Sequence, residues 1–317
     1  MKSVVFKIFV SFIIAGILLR LLSGVCEFGV KHNCNLKTSY IQKGNIDADI
    51  LFLGPCQVEW IIQPTLIEKN THLTTYNLGL THADFADNYL HLYLYLQHNK
   101  SPKYLFLYIS PESMDLKYNM FNTYRFATSV GDSTVNNVLQ ECDNNYSKWT
   151  FIPFMQYAYY SNNIYFEAVQ GLKQYKNKQY KPYYKDGFIP PLFLSKSSDS
   201  SEYISIYPTG YSFLWNAKRE KYLRKTIELA LQKNIKIYLY ESPIVKEALK
   251  DIKNREDIIN QIKKLATEYE IPYLQFEDVS IAYSGKNYLS TVIPTIEASA
   301  IFSDSLGKYI SREIEKK

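Results

Sequence analysis

Three short apolar runs, each stopped by a turn that contains proline, set the frame of the chain. Ile50–Leu53 ends at Gly54-Pro55, Tyr104–Ile109 at Ser110-Pro111, and Ile235–Tyr240 at Glu241-Ser242-Pro243. Continuous apolar runs of this length, bounded by turn residues, read as strands buried on both faces. Thr74–Gly79 reads as a further strand that ends at a glycine, and Pro272–Phe276 as a short one. Helical periodicity fills the intervals. A helix is expected from about His82 to His98, with Ala83, Ala86, Leu90 and Leu94 on one face. Others are expected at 216–233, 255–270 and about 295–316. Pro64 lies inside 57–70, so a helix there is short or restarts at the proline. Strands alternating with helices at this spacing predict a right-handed parallel α/β sheet. The rhythm lapses between about 113 and 216, where eleven tyrosines fall between Tyr157 and Tyr211. This stretch reads as an insertion packed over one end of the sheet. Its tyrosines either line a groove that stacks on sugar faces or build the core of an irregular region.

The other strong pattern is at the N-terminus. Lys2 and Lys7 precede the uninterrupted run Ile8–Leu19, and Arg20 follows it. From Val4 to Val25 the segment reaches the roughly 20 residues needed to span a bilayer, with Lys7 and Arg20 reaching towards the head groups. No A-x-A-like cleavage site follows, and Val25 is too large for the position before a lipidated Cys26. An uncleaved signal anchor over 1–26 is the preferred reading; a cleaved signal, a lipoprotein signal or a buried helix are the alternatives. Lys2 and Lys7 then keep the N-terminus in the cytoplasm, leaving an inner-membrane protein whose domain lies in the periplasm or on the extracellular side. Residues 27–46 read as a linker or capping segment, and 47–317 as one α/β domain carrying the insertion.

Composition narrows the classes. At 317 residues, 46% apolar and 21% charged, the chain can bury a sizeable core and is not a disordered one. A net charge of +5 from scattered lysines gives no nucleic-acid groove. No spacing of Cys or His resembles a metal site, no Gly-rich phosphate loop is present, and no cofactor is expected. The four cysteines, Cys26, Cys34, Cys56 and Cys142, permit three pairings in an oxidising compartment. Cys26 and Cys34 are close enough in sequence to pair, leaving Cys56 with Cys142 or both free. Cys56 also has a chemical reading. The strand ending at Leu53 delivers it to the top of the sheet at a helix start, where free N–H groups lower a thiol pKa and stabilise an oxyanion.

The block ADILFLGPCQVEWIIQP (residues 48–64) resembles the first motif of the SGNH, or GDSL-like, hydrolase superfamily. More narrowly, it resembles the membrane-anchored extracytoplasmic branch related to alginate O-acetylation and D-alanyl transfer. In that branch a strand is followed by a Gly–nucleophile segment and later by Asn-Pro, here Gln63-Pro64. YNLGL (76–80) resembles the second block, PKYLFLYISPES (102–113) the third strand, and EASAIFSDSLGKYIS (297–311) the final helix. The resemblance covers 46–110 and 216–317. It implies a three-layer parallel sheet in flavodoxin-like order, Cys56 at the nucleophile position, and Gly79 as oxyanion donor with Asn77 and Gln57 beside it. It departs from the family where the catalytic Asp and His are expected, because those positions hold Thr291 and Pro294. No histidine follows His98. A substitute is chemically coherent: His82 as base, oriented by Asp84 or Asp87, acting on a thiol whose ordinary pKa of about 8.5 demands only a weak base. Otherwise His82 is a solvent-facing residue near a helix cap, and His91 and His98 are expected on a helix surface. Pro55 removes one N–H from the proposed oxyanion hole.

Two functions follow. One is a catalytically degenerate relative that binds a glycan, or joins a membrane-bound acyltransferase partner, in the acyl modification of envelope or capsular polysaccharide. The other is an active esterase or O-acyltransferase with Cys56 as nucleophile.

Overall fold

Ile50–Leu53 form β1, with all four side chains buried. In the computed structural model, which describes residues 2–115, 120, 123–142, 154, 157, 162–182, 184–192, 209–290 and 292–315, β1 is the second strand of a five-stranded sheet. Its partners are β2 (Thr75–Asn77), β3 (Tyr104–Tyr108), β4 (Lys236–Glu241) and β5 (Tyr273–Gln275), in the order β2-β1-β3-β4-β5. Every pairing is parallel, with Ile50 opposite both Thr75 and Tyr104, Tyr104 opposite Lys236, and Leu239 opposite Tyr273. This is the parallel α/β sheet that the alternation of strands and helices predicts, in the flavodoxin-like order that the resemblance implies.

Residues 45–118 and 184–317 form one compact unit around this sheet. Its helices are α3 (Cys56–Glu59), α4 (Pro64–Thr71), α5 (Phe85–His98) and α6 (Pro111–Asp115). Because Pro64 opens α4 at its first turn, the segment after β1 breaks into two short helices, as expected. α5 starts three residues later than periodicity alone suggests. Asp84 caps it, with Oδ1 accepting from Ala86 N (2.8 Å) and Asp87 N (3.0 Å), while Asp87 reaches back to Asp84 N.

Alternate residues along the strands face opposite layers. Ile50, Phe52, Phe106, Tyr238 and Tyr240 pack with Ile67 of α4 and with Phe302 and Leu306 of the last helix. The Phe52 and Phe106 rings stack at 5.0 Å, and Phe106 and Tyr238 at 4.8 Å.

Downstream of α6, and numbered after the two helices α7 and α8 described below, come α9 (Ala217–Gln232), α10 (Arg255–Glu268) and α11 (Ile296–Glu315). α9 packs on α5 and β4, and α11 on α4. Gln63 ties α11 to the turn after β1. Its Nε2 donates to Ser299 Oγ (2.7 Å), its backbone N–H to Ser303 Oγ (3.0 Å), and Ser303 Oγ donates to Ile61 O. An antiparallel pair, β6 (Tyr288–Ser290) and β7 (Ile293–Pro294), precedes α11 and is not legible as strand in the sequence.

Residues 1–44 and 119–183 form the second unit. In place of the linker expected over 27–46, α1 (Lys2–His32) runs on without a break, and α2 (Lys37–Gln42) follows. The segment has something to bury against. α7 (Ser133–Cys142) and α8 (Asn162–Lys176) occur where no long apolar period was evident, and α8 packs along the end of α1. The contact is backbone on backbone. A side chain at Gly29 would sit 2.3 Å from Ala168 O, and one at Gly171 would sit 1.7 Å from Gly29 O. Cys34 N donates to Gln174 Oε1 (2.8 Å), Ser39 Oγ donates to Val30 O (2.8 Å), and Asn33, Cys34 and Ile41 are buried. Of the expected insertion, 113–115, 184–192 and 209–216 belong with the sheet unit, and 193–208 lie outside the described residues.

Candidate functional site

In the order β2-β1-β3, the chain leaves β1 and β3 in opposite directions across the sheet. The crevice beyond the carboxyl ends of such a pair is where open α/β sheets hold their ligands. Both strands deliver a helix there. After β1, Gly54 lets α3 fold close: a side chain on it would lie 2.5 Å from Val58 Cγ2 and 2.6 Å from Tyr108 Cβ. Pro55 then opens α3, its carbonyl accepting from Val58 N (2.9 Å), and Cys56 is the first helical residue. After β3, Ser110 and Ser113 cap α6 reciprocally, Ser113 N donating to Ser110 Oγ (3.2 Å) and Ser110 N accepted by Ser113 Oγ (2.9 Å). That turn presents Glu112 towards Cys56.

Cys56 is partly exposed, and among the described residues its thiol bonds to Gln57 Oε1 (3.3 Å). Its protonation is the opposite of what a helix start suggests. Burial, then the charges of Glu112 and Glu59, push the thiol up to about 12; the N–H groups of Gln57 and Cys56 lower it by less. A four-residue helix carries little dipole, and two carboxylates face the same sulfur. Burial also pushes the Glu112 carboxyl up.

The oxyanion side is likewise engaged. Gly79 N donates to Asn77 Oδ1 (2.8 Å), so that N–H does not point at a substrate oxygen as the resemblance implies. The reason is that Asn77, fully buried, staples three segments: its Nδ2 also donates to Val58 O and Ile62 O, each at 2.8 Å. Gly79 is required for space, since a side chain there would meet Glu59 N at 2.4 Å. Gln57 is buried beside the thiol.

His82 lies exposed in the turn before α5, in left-handed backbone (φ 60°), and is not the hydrogen-bond partner of Cys56. Asp84 is engaged in the α5 cap and faces Arg219 Nη2 at 3.7 Å. Asp87 completes the capping box. His91, expected at the surface, is fully buried, because it falls one turn after Asp87 on the inward side of α5; His98 is exposed. Thr291 lies outside the described residues, and Pro294 is buried in β7. None of the four cysteines forms a disulfide. Among the described residues no group of His, Cys, Asp and Glu is placed to hold a metal ion.

Two features were not visible in the sequence. Glu112 falls within the block PKYLFLYISPES, where nothing marks it as a neighbour of Cys56. At the end of β4, Glu241 is buried with Arg255 (Nη2 to Oε2, 2.7 Å) and Tyr273 (OH to Oε2, 3.2 Å), and Arg255 also pairs with Glu277 (2.7 Å). Burial pushes Glu241 up to about 7 against the pull of Arg255. Tyr108 lies within the field of both Glu241 and Glu112. A small cavity beside the site is lined by Pro55, Asp84, Asn88, Tyr108, Ser113 and Arg219.

No protein-family model and no curated protein matches the sequence. Among solved structures, the chain is similar to a protein assigned to the G-D-S-L lipolytic family from Desulfitobacterium hafniense. The identity is 9% and the TM-score 0.41, over 82% of this chain and 97% of that one. It is also similar to a protein assigned as an acylhydrolase from Bacteroides fragilis, with 11% identity and a TM-score of 0.38, over 84% and 86%.

Proposed function

We propose that this chain is a membrane-tethered α/β protein in which the nucleophile position no longer performs acyl transfer. Its sheet edge serves instead to bind a glycan, or to join a membrane-bound acyltransferase, in the acyl modification of envelope or capsular polysaccharide. The tether is α1, whose Val4–His32 stretch is long and apolar enough to cross a membrane. The polysaccharide context comes from the resemblance of 46–110 and 216–317 to the anchored extracytoplasmic branch. One observation carries the loss of catalysis: the thiol of Cys56 bonds to the neutral Gln57 and has the carboxylates Glu112 and Glu59 as its charged neighbours, surroundings that with burial raise its pKa. A nucleophilic thiol needs the reverse, a cation or a base that favours the thiolate.

A second reading retains an esterase or O-acyltransferase acting through Cys56. The position of Cys56 at the β1/β3 switch point favours it. Glu112 would then accept the thiol proton, since His82 is not its partner. Activated acyl donors, followed by intact-mass measurement of the full chain, separate the two. The proposal expects no acyl adduct on Cys56 and full complementation of a deletion strain by Cys56→Ser. A thioester on Cys56, with failure of the serine variant to complement, would establish the enzyme instead.

A further inference from the structure

The 1–44/119–183 unit exposes large apolar side chains on two helices that pack on each other. On the end of α1, Val25 is 52% and Phe28 40% exposed; on α8, Phe166 is 62% and Val169 46% exposed. The helices run side by side in the same direction. Gly29 meets Ala168 and Gly171, and further along Cys34 bonds to Gln174. Helical spacing puts Phe166 and Val169 on one face of α8, and two turns later that face presents exposed Lys173 and Lys176. The face therefore passes from apolar to basic along the helix axis.

We propose that the first half of α8 lies at the outer interfacial layer of the bilayer that α1 crosses, with Phe166 in contact with lipid and Lys173 and Lys176 beyond the head groups, in water. The inference rests on the anchor reading of α1. Its argument is depth. With the hydrocarbon centred midway between Lys7 and Arg20, a rise of about 1.5 Å per residue puts Gly29 roughly 23 Å from the midplane. Phe166 precedes Ala168, the neighbour of Gly29, and so sits about 3 Å nearer the midplane, with its side chain leaning further towards the helix N-terminus. That is the interfacial zone, since hydrocarbon ends about 15 Å from the midplane and head groups about 20–22 Å. By the same rise Val169 lies about 25 Å out and Lys173 and Lys176 about 31 and 35 Å out, beyond the head groups, so the aromatic Phe166 is the side chain that the interfacial gradient stabilises.

The test is photo-cross-linking of the full chain reconstituted in vesicles of equal parts phosphatidylethanolamine and phosphatidylglycerol. Benzoylphenylalanine replaces Phe12, Phe166 or Asn177 in separate preparations, and adducts are read by mass spectrometry. Lipid adducts at positions 12 and 166, and none at 177, are expected. Lipid adducts at 12 with none at 166 would overturn the interfacial assignment while leaving the anchor intact. A protein–protein adduct at 166 would overturn it in favour of a second copy. No lipid adduct at 12 would remove the anchor reading and this inference together.

Discussion

At the residue scale, Cys56 and Asn77 illustrate how two positions of one motif come to differ from the chemistry the motif implies. Asn77 was legible as a polar residue at a strand end, but its partners were not, because Val58, Ile62 and Gly79 converge on it only after α3 folds back. Each of its bonds contributes roughly 1 kcal/mol, and buried groups left unpaired cost more. Asn77→Ala is therefore expected to destabilise the protein by about 2–4 kcal/mol in urea unfolding. Asn77→Asp, which keeps the acceptor for Gly79 but loses both donors, should recover little of that. If Asn77 served a substrate instead, stability would be nearly unchanged. For Cys56 the pH sign follows from its raised pKa. The folded state holds the thiol proton to about 12, whereas an unfolded thiol loses it near 9. Stability is thus fully present below about pH 9 and falls as pH rises towards 12. Cys56→Ala should flatten that decline.

At the scale of elements, the sheet could be read from the sequence because its strands are short apolar runs with abrupt stops. The helices on its faces were legible from their periodicity, to within a few residues. What was not legible has physical causes. The α5 boundary depends on a capping box that places Asp84 and Asp87 on backbone N–H groups. α8 has no strong apolar period because its inward side is built from Gly171 and Ala168, whose small size lets backbones touch. Asp84→Ala should cost more than the about 1–2 kcal/mol of a lost cap, because it also leaves the buried Arg219 without this carboxylate; Asp84→Asn should restore the cap alone. The alkylation rate of Cys56 should stay unchanged in both, whereas an orienting role through His82 would move it. The Glu241–Arg255 pair at the end of β4 makes a separate prediction. Arg255→Met leaves Glu241 buried without its cation, at a cost of roughly 3–5 kcal/mol at pH 8. Glu241 is already pushed up to about 7, so at pH 5 it is neutral and the same substitution should cost markedly less. Urea unfolding at the two pH values checks this; equal losses would show that the pair is not charged as described.

At the scale of the whole molecule, the chain divides into a sheet unit and a unit built on α1, and the second was the less predictable half. Its order comes from tertiary contacts between segments far apart in sequence, such as Asn33 with Glu167 at 2.5 Å and Cys34 with Gln174. No local pattern encodes these. The candidate site was half legible. The placement of Cys56 followed from the β1 stop, but the carboxylates around it come from two helices, α3 (Glu59) and α6 (Glu112). The central claim is that the thiol at the nucleophile position is held protonated. The measurement that tests it most directly is the rate of iodoacetamide alkylation of each cysteine in the full chain, mapped by mass spectrometry across pH. The account predicts that Cys56 stays slow through neutrality and reacts only as pH approaches its raised value of about 12, with no change in His82→Ala. Rapid labelling of Cys56 well below about pH 8, slowed by His82→Ala, would contradict it.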